Sequence, residues 1–146
     1  MKIHIIAIGK CKKGSPEYLL IEEYKKRLSW DMTVKEKDNS NQNQEAEFLL
    51  ENIPERAKVV VLDERGKNMS STELANIIGQ WQLDGISDIC FLIGGADGHL
   101  ESVRQRADLI LSFGKLTMPH MLIRAVLSEQ IYRVQTILSG HPYHRK

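Results

Sequence analysis

Three short runs constrain the fold of this chain more than any other feature. VVVL (59–62), ICFLI (89–93) and LILS (109–112) are apolar with little or no alternation. A strand apolar at nearly every position has to be covered on both faces. Segments with helical spacing lie between these runs, so strand and helix alternate along the chain. The alternation predicts an α/β domain with a mainly parallel sheet flanked by helices.

The remaining segments extend the pattern. KIHIIAI (2–8) reads as a first strand closed by Gly9. In SPEYLLIEEYKKRLSW, Ser15 is placed to cap a helix, Pro16 suits its first turn, and Tyr18, Ile21, Tyr24 and Leu28 share one face. MTVKEK (32–37) alternates like a half-exposed strand. DNSNQNQ (38–44) reads as a polar loop and EAEFLLENI as a short helix stopped by Pro54. NMSSTELANIIGQWQL opens with a capping box, Ser70 followed three residues later by Glu73. HLESVRQRA is a weaker helix. No repeat, linker or second domain interrupts the chain, which predicts a single domain over 1–146.

A long last helix is expected from about Pro119 to Leu138. Its apolar residues, among them Leu122, Val126, Ile131, Val134 and Ile137, occupy more than one stripe. Such a helix needs cover on more than one side. A central core position or a homodimer interface would supply it.

Lys and Arg number 20 against 19 Asp and Glu. Net charge therefore gives no general attraction to nucleic acid, and a nucleic-acid partner would need a local basic patch. Cys11 and Cys90 form no CxxC pair, so neither a disulfide framework nor a metal site is expected. MKIHIIAIGK is too short and too polar for a signal peptide, and no run approaches the ~20 apolar residues of a membrane helix. A cytoplasmic protein without membrane contact is the expectation.

Ligands of open parallel sheets bind beyond the carboxyl ends of the strands. Three such ends carry loops with glycine: DERGK (63–67), GGADG (94–98) and FGKLTMPH (113–120). Alone, GGADG is a tight turn; three loops on one edge suggest a shared pocket. In the third, Leu116, Met118 and the Pro119 ring would make an apolar wall. Backbone groups between Gly114 and Pro119 could bond a flat heterocycle. His4 reads as structural, and Glu129 with Arg133 as an i,i+4 ion pair. Arg124, one turn into an apolar helix, needs a partner, either structural or an anion. Behind Gly140 the tail reads HPYHRK. His141 before proline turns the chain out of the helix. Tyr143 and His144 could stack on a base, and Arg145 and Lys146 could pair with phosphate.

LDERGK, LIGGADG, LTMPH, SEQIYR within the long helix and the terminal HPYHRK occur together in this order. In this the whole chain resembles the ribosomal RNA large subunit methyltransferase H family, small SPOUT-type methyltransferases. The resemblance implies a C-terminal trefoil knot, a homodimer and S-adenosylmethionine as cofactor. Its cofactor contacts would fall at Leu62, Asp63, Gly94, Gly95, Gly114, Lys115, Leu116, Thr117, Met118 and Pro119. It implies methylation of N3 of a pseudouridine in helix 69 of 23S rRNA within the ribosome, without a metal. His144 and Arg145 would act on the base, with His141 and Tyr143 placing the tail. Arg124 and Glu129 would support the site, Glu129 by anchoring Arg124 or Arg133 or by positioning substrate. Lys10, Lys12 and Lys13 would add ribosomal contacts. The alternative is a non-catalytic ribosome-binding factor that holds a nucleotide in the same pocket.

Overall fold

A computed structural model describes residues 1–145; Lys146, expected to pair with phosphate, lies outside the described residues. Five parallel strands alternate with five helices: β1 (Lys2–Ile8), α1 (Pro16–Arg27), β2 (Asp31–Lys37), α2 (Gln42–Glu51), β3 (Lys58–Asn68), α3 (Ser71–Leu83), β4 (Asp88–Ile93), α4 (Glu101–Arg106), β5 (Leu109–Ser112) and α5 (His120–Ser139). The strand order is β2-β1-β4-β3-β5, and every pairing is parallel.

Alternate residues of the apolar strands feed two cores. Ile3, Ile5, Ala7, Val60, Ile89, Phe91 and Ile93 join Ile21 of α1, Leu74 and Ile78 of α3, and Leu127, Ile131 and Val134 of α5. Ile6, Ile8, Val59, Val61, Cys90 and Leu92 face the other way, onto Ala46 and Leu49 of α2 and Val103 of α4. Two-sided burial is why these strands lack alternation, and each fully buried large side chain contributes about 1.5–3 kcal/mol. The two faces also follow from handedness. Crossovers through α1 and α3 run toward β2, those through α2 and α4 run toward β5, and right-handed crossovers place the two sets on opposite faces.

The helix signals behave as local chemistry dictates. Ser15 accepts the Tyr18 amide at 3.2 Å. Ser70 and Glu73 close a reciprocal capping box at 3.1 Å on each side. Gly140 ends α5 with φ +76°, a left-handed cap that favours glycine. Two expectations need correction. Residues 42–44 are helical rather than loop, because Asn41 caps α2 by accepting the Gln44 amide at 2.8 Å. DERGK is not a loop beyond the strand, since β3 continues to Asn68 through an irregularity between Leu62 and Lys67.

α5 packs between α1 and α3. This accounts for its several apolar stripes within one chain. Cys90 is buried, which pushes its thiol up to about 12. His4 bonds Asp88 at 2.8 Å and holds that carboxyl below its ordinary range.

Candidate active site

A cavity of about 510 Å³ opens beside residues 62–65 of β3 and the carboxyl ends of β4 and β5. Each wall has a local cause. Leu62 and Lys67 both pair with Leu111, so residues 63–66 stand off the sheet as a bulge. At its base the two strands come very close. A Cβ on Gly66 would lie 2.6 Å from the Ile110 carbonyl oxygen, a distance only glycine permits. After β4, the turn 95–98 closes through the Gly98 amide on the Gly95 carbonyl at 3.1 Å, and Gln42 Nε2 of α2 donates to the Asp97 carbonyl at 2.8 Å. After β5, the Ser112 hydroxyl accepts the Gly114 amide at 3.1 Å and turns the chain back toward α5.

Asp63 and His99 dominate the electrostatics. Burial pushes the Asp63 carboxyl upward, but the Arg65 amide at 2.9 Å and the Arg65 guanidinium overcome it, so the group sits below its ordinary range. Arg104 Nη1 adds a contact at 3.5 Å. His99 is only 7% exposed and bonds the Leu62 carbonyl through Nε2 at 3.1 Å. Burial lowers its pKa, aided by Arg104 and Arg65 and opposed by Asp63. The ring is therefore neutral near pH 7.

Of the ten residues that the family resemblance assigned to a cofactor, eight line this cavity: Leu62, Asp63, Gly94, Gly95, Gly114, Leu116, Thr117 and Met118. Lys115 and Pro119 are not among its lining residues. Pro119 instead serves as the N-cap position of α5. His99, His120 and Ile123 also line the cavity and were missed. Only the position of His99 directly behind GGADG could have signalled it.

Arg124 does not bind an anion in the cavity. It is fully buried, with Nη1 donating to Glu36 and Nη2 to the Gly9 carbonyl at 3.0 Å. Glu36 also accepts the Cys11 amide at 2.8 Å. The pair thereby ties the Lys10–Lys12–Lys13 loop to α5. Glu129 anchors Arg133 at 2.7 Å, not Arg124.

The tail folds back along α5. Tyr143 packs edge-on against Tyr132 with centroids 4.8 Å apart, and its hydroxyl reaches Glu129 at 3.4 Å. Burial, then Tyr24 and Glu129, pushes that phenol up to about 12. His144 Nδ1 lies 3.1 Å from Arg133 Nη1, and His141 Nδ1 accepts the Tyr143 amide at 3.3 Å. Arg145 is exposed. Arg133 is ten residues beyond Ile123, roughly 15 Å along the helix. None of residues 141–145 lines the cavity of its own chain. Among the described residues, no cluster of three or more His, Cys, Asp or Glu could hold a metal, and no helix is long and apolar enough to cross a membrane.

A parallel sheet with glycine-bearing loops gathered at one edge has the layout in which α/β proteins bind ligands. The family model described as "Predicted SPOUT methyltransferase" matches residues 1–144. The ribosomal RNA large subunit methyltransferase H of Paramagnetospirillum magneticum is 49% identical over 152 residues, covering 99% of each chain. That of Zymomonas mobilis subsp. mobilis is 49% identical over 146 residues, covering 100% of this chain and 99% of its own. The chain belongs to the ribosomal RNA large subunit methyltransferase H family of SPOUT methyltransferases.

Proposed function

We propose that this methyltransferase transfers a methyl group from S-adenosylmethionine to N3 of a pseudouridine in helix 69 of 23S rRNA. The reading places the reaction on assembled ribosomes in the cytoplasm, and the enzyme works as a knotted homodimer. The observation that carries the reading is the cavity. Its walls come from the three motif segments that the family resemblance assigns to the cofactor.

The cavity fits such a group. About 510 Å³ falls within the ~300–1,000 Å³ of pockets that enclose drug-sized ligands. Gly94 and Gly95 contribute backbone to the lining, and Leu116, Met118 and Ile123 offer apolar surface to a flat ring. When bound, the cofactor supplies an electrophilic methyl on a sulfonium. The protein must hold the acceptor nitrogen in line with it, about 3–3.5 Å away.

N3 of a pseudouridine carries a proton that has to leave before the nitrogen attacks. Arg133 donates toward His144 Nδ1, so the neutral ring carries its proton on Nε2. His144 then presents an N–H rather than a base. Together with the exposed Arg145 it would stabilise the deprotonated base by charge and hydrogen bonding, while the proton passes to solvent. Tyr143, wedged on Tyr132 and Arg133, positions both. One chain's tail lies away from its own cavity, which supports a dimer in which it serves the partner's. The target base leaves its stack to reach the site.

The deciding experiment is transfer of a labelled methyl group to ribosomes that lack the modification, with and without prior pseudouridylation. Label on N3 of the pseudouridylated ribosomes only is the expected result. Ribosome binding without transfer would favour a non-catalytic factor.

A further inference from the structure

The carbonyl of Leu62 can only accept, so His99 Nε2 carries the proton of that 3.1 Å contact. The neutral ring then has Nδ1 as an acceptor, and Nδ1 is buried with no partner among the described residues. Buried acceptors are nearly always met, so an orphan requires a reason. The surroundings are built around this ring. A Cβ on Gly94 would lie 3.0 Å from its Cε1 and 3.1 Å from Nδ1, so any side chain at 94 would press on the ring and force it to shift. The ring lines the cavity and spans the ends of β3 and β4. Nearby charges are one carboxylate, Asp63, and two guanidiniums, Arg65 and Arg104, a balance that disfavours a cationic donor.

We infer that His99 is a specificity-determining residue of the cavity, its Nδ1 accepting a neutral donor, an exocyclic amine or a ribose hydroxyl, from a bound adenosine group. The inference rests on the cofactor reading above. Nδ1 is buried, so a donor can reach it only if the turn 95–98, held by one backbone bond and the Gln42 tether, shifts on binding.

Calorimetry with S-adenosylhomocysteine on four proteins tests this: wild type, His99→Leu, His99→Gln and His99→Asn. A glutamine amide reproduces the Nε2 donor to Leu62 without an acceptor at the Nδ1 position. An asparagine oxygen reproduces the acceptor and loses the tether. Leu and Gln should bind about tenfold more weakly, and Asn within about threefold of wild type, as loss of one neutral hydrogen bond requires. Deaminated, 2′-deoxy and 3′-deoxy forms of the probe identify the donor. The one lacking it should lose about tenfold on wild type and nothing further on His99→Leu. Ligand-free His99→Leu loses both the orphan acceptor and the bond to the Leu62 carbonyl, opposing effects, so its unfolding temperature should change little.

Four equal affinities would overturn the inference. So would a Gln protein that binds like wild type beside an Asn protein that does not, because His99 would then act only as a tether. A wild type that binds no adenosine compound would overturn the cofactor reading itself, and this inference with it.

Discussion

The guanidinium of Arg133 lies 4.9 Å from the centre of the Tyr143 ring, while Glu129 holds its other side at 2.7 Å. A chain end that would ordinarily fray is thus docked by a cation–π contact, an aromatic edge contact and a hydrogen bond. The first two contribute about 0.5–1.5 kcal/mol each. Tyr143→Ala should release the tail, seen as faster proteolysis and faster amide exchange after residue 140. Methyl transfer should fall at least tenfold, with S-adenosylhomocysteine affinity within about twofold. Arg145→Ala, or removal of the last four residues, should abolish transfer with the same unchanged affinity. A large loss of cofactor binding in either protein would remove the tail from its substrate-facing role.

Glycines around the cavity separate into two kinds. At Gly66 an added Cβ meets backbone of Ile110 and Leu111 at 2.6–2.8 Å, and backbone cannot move aside cheaply. Gly98 has φ +76° but open space around it, so Gly98→Ala should cost only about 1 kcal/mol. Gly66→Ala should cost more than about 3 kcal/mol or leave the protein insoluble. Gly95→Val is intermediate: its Cβ would press on Glu45 Oε1 at 3.0 Å and Ile8 Cγ2 at 3.2 Å. The clash lies in the wall behind the loop, so melting temperature should drop, and cofactor affinity should fall with it because the displaced loop lines the cavity. Urea titrations of the three variants give the ranking, and Gly98→Ala as the worst of them would contradict it.

Arg124 and Glu36 are joined across 88 positions of sequence, with the arginine fully buried. Removing one partner of a buried pair costs about 3–5 kcal/mol, because the other charge is stranded. Glu36→Gln should therefore destabilise strongly and loosen the loop that carries Lys10, Lys12 and Lys13. Arg124→Met should cost less, because Glu36 is partly exposed and keeps the Cys11 amide. The double variant should recover part of the loss, giving a coupling of about 0.5–3 kcal/mol in a double-mutant cycle. Strict additivity would mean that the two side chains do not act as a pair.

How much of this was legible in the sequence depends on how local each signal is. Val59, Val60 and Val61 showed a strand buried on both faces, and Ser70 with Glu73 marked a helix start, because both signals sit within a few residues. The start of α2 was hidden because Gln42, Asn43 and Gln44 are polar and the decisive cap is a single side chain, Asn41. The bulge in β3 depends on Gly66 meeting Ile110, a contact between strands that spacing cannot show. Arg124 advertised its need for a partner, but nothing local named Glu36. Two walls of the cavity, GGADG and FGKLTMPH, were readable from glycine after apolar runs, whereas DERGK read as a loop and is a bulge within β3. His99 was not readable, since its role comes from the Leu62 carbonyl one strand away.

His99 also sets a pH window for stability. Its pKa in the folded protein is lowered below the roughly 6.5 of the unfolded chain. Between those two values the unfolded chain binds more protons, so stability rises with pH there. The contribution is fully present above about pH 6.5 and is lost as pH falls through the lowered folded value. Asp63 and Asp88 are also lowered, but their contribution is present above the unfolded carboxylate value of about 3.9 and lost only as pH falls through their folded values. The windows are separate. Urea midpoints of the wild type should decline as pH falls below about 6.5, by at most about 1.4 kcal/mol per pH unit for one proton. His99→Leu should flatten that stretch and keep the acid loss near pH 4. An unchanged slope just below about pH 6.5 in the variant would show that another group carries the titration.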